Sequence, residues 1–136
     1  MSTVIKEFNS VAELMKSLDD EISEYRKRLG ELIKRLEELR VKAEQEKKLK
    51  SLLSKLGLPE TSTANEIALR NVRIIVNPVA SQELATIESA IESLNNRVMQ
   101  LTAIRKEVEL LGNIDVEVKI SVVYIDGLPK IVLLRM

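Results

Sequence analysis

The 136-residue sequence contains no cysteine, no histidine and no tryptophan. Those absences remove disulfides, thiolate and imidazole metal ligands, cysteine nucleophiles and any catalytic triad built on histidine. Aromatic residues make up 2% of the chain, two Tyr and one Phe, so neither a compact aromatic core nor a base-stacking platform is available. The four glycines are scattered, which leaves no loop able to cradle a phosphate. Neither sign of charge dominates, because 21 Lys and Arg balance 21 Asp and Glu. No run approaches the roughly 18 consecutive apolar residues of a membrane-spanning helix. The start, Met1 to Glu7, has neither the basic region nor the apolar run of a secretion signal. The expectation is a cytoplasmic protein with no membrane partner and no cofactor.

What is present is charge, at 31%, and aliphatic side chains in long periodic arrays. Ser10-Val11-Ala12-Glu13 has the spacing of a capping box, which opens a helix. From there apolar residues fall at Val11, Met15, Leu18, Ile22, Tyr25, Leu29, Leu32, Leu36, Leu39 and Ala43, in alternating steps of four and three. That regularity predicts a coiled-coil seam. After Ala43 the register slips, with Glu46 standing between Ala43 and the next seam residues Leu49, Leu53 and Leu56. Gly57 and Pro59 then supply a cap and a stop.

Residues 59–70 read as a polar connector, with one helical turn opened by the box Thr63-x-x-Glu66, and Val72 to Val76 as a short strand. A second helix is predicted from about Val79 or Gln82 to Leu111, with a seam of Leu84, Ile87, Ile91, Leu94, Val98, Leu101 and Val108 interrupted by Arg105. Arg105 is expected to pair with Glu109, four residues on, or to mark where the seam opens to solvent. From Ile114 the period switches to two, predicting a strand to Ile125. Asp126-Gly127 predicts a two-residue hairpin turn, and Leu128 to Arg135 the return strand. Pairing residue 125 with 128 places Val122 opposite Ile131 and Ile120 opposite Leu133, and Pro129 suits a sheet edge.

These elements define an α+β chain: a long coiled-coil helix over 1–58, a connector over 59–70, and a small head over 71–136 built of strand, helix and hairpin. In one arrangement the strand at 72–76 joins the hairpin as a parallel third strand, with the second helix as crossover. In the other, the second helix folds back antiparallel along the first. The first helix would be about 70 Å long and the second about 45 Å. The N-terminal part of the first seam is therefore expected to lack an intrachain partner and to be covered by another subunit.

Convergent polar groups for catalysis are sparse. Asp115 and Glu117 could suit a divalent cation or an acid/base pair, but their alternation with Lys119 reads as the solvated face of a strand. Over residues 40–57 six basic side chains, Arg40, Lys42, Lys47, Lys48, Lys50 and Lys55, face two acidic ones, enough for several phosphate contacts. Residues 1–24 carry the opposite excess, six acidic against two basic, so the first helix is electrically polarised. The sequence therefore predicts a non-enzymatic homo-oligomeric scaffold, adaptor or assembly subunit, with another protein as partner. The alternative is a nucleic-acid-associated architectural protein using the basic cluster. Abundant Ile, Val, Glu and Lys lean toward a thermophilic source.

Overall fold

The computed structural model describes residues 3–58, 65–113 and 118–136. In chain order they form β1 (Thr3–Phe8), α1 (Val11–Lys55), β2 (Glu66–Ala68), β3 (Arg73–Ile75), α2 (Ala80–Val108) with a 3-10 turn at Glu109–Asn113, β4 (Lys119–Ile125) and β5 (Leu128–Arg135). The fold is α+β: a long helix, a second helix, and a three-stranded sheet ending in a C-terminal hairpin. The chain divides into two compact units, residues 1–29 with 93–136, and residues 30–92.

In the first unit, α1 begins where the capping box predicts. Ser10 Oγ accepts from the Glu13 amide at 3.2 Å, and the Glu13 carboxylate reaches back to the Asn9 amide at 2.9 Å, satisfying donors that the helix itself leaves free. The third strand of the sheet is not residues 72–76. It is β1, which pairs antiparallel with β4, so the order is β1-β4-β5 and every neighbour is antiparallel. The inner face of this sheet places Ile120, Val122 and Tyr124 against Leu14 and Leu18 of α1 and Val108 of α2. Ile22, Val98, Leu101 and Leu128 form a second cluster beside it. These contacts run α2 antiparallel to α1, because the start of α1 meets the end of α2.

The hairpin turn is of the expected kind, with φ of 53° at Asp126 and 79° at Gly127. β5 is an edge strand, as Pro129 suggests. The predicted register holds only beside the turn, where Ile125 pairs with Leu128. An irregularity at Val123/Tyr124 then shifts the ladder by one, so that Val122 faces Val132 and Ile120 faces Leu134. A residue inserted in one strand reverses which side chains look inward. Val132 thus joins the core, and Ile131 and Leu133 look out. The strand expectation at 114–117 lies outside the described residues.

In the second unit, α1 ends as expected. Gly57 adopts φ 75°, and the Leu58 amide donates to the Leu53 carbonyl at 3.0 Å, closing the last turn in a Schellman-type cap. Glu66 lies in a strand rather than a helical turn; β2 and β3 pair antiparallel as a separate two-stranded hairpin. Its ladder extends through the Leu69 amide, which donates to the Val72 carbonyl at 2.9 Å. The N-terminus of α2 is fixed by Glu46, whose Oε1 accepts from the Ala80 amide at 2.9 Å. The acidic break in the α1 seam therefore caps the second helix, where a carboxylate complements free amides and the helix dipole. Asn65 and Gln82 exchange two side-chain hydrogen bonds at 2.9 and 2.8 Å, tying the entry of β2 to the first turn of α2.

Candidate interaction surfaces

The ten α1 seam residues are all buried or half-buried within the single chain. In the first unit, Leu18 and Ile22 pack on α2 and the sheet, with Val11, Met15 and Tyr25 at the margins of the same clusters. In the second, Leu36 and Leu39 are buried, and Ala43 shares a cleft with Ser81 and Leu84 of α2. The expectation that the N-terminal seam lacks an intrachain partner is thus overturned. The sheet and the antiparallel α2 cover it, and Leu14, outside the heptad positions, is as deeply buried as Leu18.

The uncovered part of α1 lies at its other end. Beyond Glu46, which meets the first residue of α2, come four lysines (Lys47, Lys48, Lys50 and Lys55) and no acidic residue up to Leu58. Leu49, Leu52, Leu56 and Leu58 in this segment are each at least 50% exposed. The β2–β3 hairpin, the next described element in the chain, is similarly open. Its register places Ile67 opposite Ile74, and Leu69, Val72 and Val76 share that face by alternation; all five are exposed. The reverse face carries an ion pair between Arg73 and Glu66, which lowers the Glu66 pKa mainly through their hydrogen bond.

The basic cluster divides. Arg40, Lys47 and Lys50 line a cleft of about 590 Å³ together with Glu44 and Glu46. Lys42 opens onto another, with Lys34 and Arg35 among Glu31, Glu38 and Glu83. Lys48 and Lys55 are exposed on the helix. Carboxylates interleave the bases in both clefts, and the acidic first turn of α2 supplies Glu83.

In the first unit, Arg105 pairs with Glu109 at 2.7 Å, as the spacing predicts, and also with Asp19 of α1. The guanidinium hydrogen bond holds the Asp19 carboxyl below its ordinary pKa. A cleft of about 260 Å³ is lined by Val4, Lys6, Glu21, Tyr25, Arg28 and Tyr124 among others. Lys6 Nζ lies 4.5 Å from the Tyr124 ring centroid and 2.9 Å from Glu21. The Tyr124 hydroxyl is buried without a hydrogen-bond partner, and burial, followed by the Glu21 charge, raises its pKa. This arrangement locks the edge strand β1 onto α1. Sequence reasoning missed it because β1 itself was unread; Lys6 at an inward position breaks the alternation that would have announced a strand.

Among the described residues, no group of three or more acidic, His or Cys side chains is placed to hold a metal ion, and no helix is long and apolar enough to cross a membrane. The chain matches no known family model, no curated protein and no solved structure.

Proposed function

We propose that this protein is a non-enzymatic structural subunit, a homo-oligomeric scaffold or adaptor within a larger cytoplasmic assembly. The observation that carries this reading is the aliphatic surface left open in the second unit. Five residues of one hairpin face and four leucines at the end of α1 are each at least 41% exposed. A monomer rarely keeps a contiguous apolar patch beyond about 400 Å². A two-stranded hairpin is also marginal by itself, so an apolar face of this kind calls for a covering surface. Sedimentation equilibrium of the full chain tests the reading. An oligomer at tens of micromolar is the expected result, and a monomer throughout the range overturns it.

Nucleic-acid association is the second reading, favoured by the four exposed lysines without an intervening acid at 47–58. A gel-shift titration at two salt concentrations separates the two. Binding with a steep salt slope supports phosphate contact, and no shift at low salt removes it.

A further inference from the structure

An antiparallel sheet with one face on a core ordinarily turns polar side chains to solvent on the other. The β1-β4-β5 sheet does not. Ile5 pairs with Val123 and Val123 with Ile131, so one row across all three strands is aliphatic on the outward face. Ile5 is 64% exposed and Ile131 47%, and Leu133 and Ile125 extend the same surface. In the paired rows charge stands at the corners, while exposed Lys130 is the extra residue at the irregularity beside Ile131. Glu7 stands outward on edge strand β1, in register with Ser121 and Leu133, while the last row pairs Lys119 with Arg135 on edge strand β5. Arg135 lies along the outward face, donating to Ser121 Oγ at 2.7 Å.

We propose that this outward face is the contact between two copies of the chain, packed sheet on sheet about a two-fold axis parallel to the strands. The proposal rests on the homo-oligomeric reading above. Such an axis lays β1 of one copy over β5 of the other. Ile5 then meets Ile131, Val123 meets its own counterpart, and Glu7 lies over Leu133 within reach of Arg135. Each copy supplies both halves of the contact, so the assembly closes at two. Apolar rows about 10 Å apart interdigitate as in a β-sandwich, and the acidic edge of each sheet meets the basic edge of the other. An extended peptide would add to a strand edge rather than to a face, and a lipid surface would favour basic side chains all round the apolar patch, which Glu7 breaks. Three strands offer less than the about 800 Å² per partner of a standard interface, which places the contact among the smaller, dissociable ones.

Charge exchange on the full chain tests this. Glu7→Arg alone and Arg135→Glu alone each place like charges at both corner contacts and weaken dimerisation about three- to tenfold in sedimentation velocity. An equimolar mixture of the two variants restores the wild-type constant, because each restores the pair that the other lacks. Ile5→Lys/Ile131→Lys abolishes the dimer; both sites are already exposed, and an unchanged thermal transition in circular dichroism shows that the variant is folded. A dimer that survives all these changes overturns the sheet contact while leaving the homo-oligomeric reading intact. A wild-type chain that stays monomeric overturns both. Wild-type monomer that floats with anionic vesicles, while the Ile5/Ile131 variant does not, assigns the face to lipid and likewise overturns the proposal.

Discussion

At the scale of single residues, the turn at Asp126-Gly127 shows how little freedom the C-terminal hairpin has. Gly127 holds φ at 79°, and a Cβ built there would lie 3.2 Å from Arg97 Nη1. Arg97 in turn donates to the Asp126 carbonyl at 2.7 Å, pinning the turn to α2. Gly127→Val combines a β-branched residue at positive φ with displacement of that bond, and should cost about 1–3 kcal/mol in urea denaturation. Arg97, a charged residue in the middle of α2, thereby gains a structural purpose. Asp19 supplies a pH-dependent counterpart. Its folded-state pKa is depressed by Arg105, so its contribution is present above the ordinary carboxylate pKa and is lost as pH falls through the depressed value. The pair is exposed, so the effect is small. Arg105→Gln should flatten the acid limb of the stability profile measured by thermal melts from pH 6 to pH 2.

At the scale of elements, Glu46 is the clearest case of a residue whose role depends on a partner distant in sequence. It interrupts the α1 seam, yet it accepts the Ala80 amide. Glu46→Ala should cost about 0.5–2 kcal/mol, and increased amide exchange should appear at the first turn of α2. Glu46→Gln, which can still accept a hydrogen bond, should recover part of that loss. From sequence alone the heptad break is visible and the amide that uses it is not. The two helices and the Asp-Gly hairpin were legible because period and turn chemistry agree over many residues. β1 was not, since Ile5 points outward and Lys6 inward, against the usual alternation. β3 falls within the strand read at Val72 to Val76, but three-residue β2 presents too short a pattern to read, so the partner of β3 was not visible. The register of β5 failed for a different reason: an inserted residue leaves composition and apparent alternation intact while exchanging the faces of everything beyond it. The surface candidates were half legible. The basic run is plain in the sequence, but its division between clefts that also hold carboxylates depends on where α2 lies.

At the scale of the whole molecule, the leucines of α1 and of its C-terminal cap fall into two sets with opposite assignments, and stability measurements distinguish them. Leu18 is fully buried. Leu18→Ala should therefore lower unfolding free energy by about 2–5 kcal/mol. Leu52 and Leu56 are 53% and 66% exposed, so Leu52→Ser/Leu56→Ser should change the urea midpoint by no more than about 0.5 kcal/mol equivalent at low protein concentration. If the double variant were as destabilised as Leu18→Ala, the end of α1 would have to be packed in the isolated chain.

The position of β1 also bears on how the protein is made. Among the described residues its ladder is with β4, where Thr3 pairs with Ile125, beyond both helices in the chain. At about 5–20 residues per second, that partner is synthesised on the order of ten seconds later. Both helices can coil during that interval, but the sheet cannot be assembled. The sheet is completed only after β4 and β5 have followed both helices, and until then β1, with two unsatisfied edges, must be kept from pairing with the same strand on a neighbouring nascent chain.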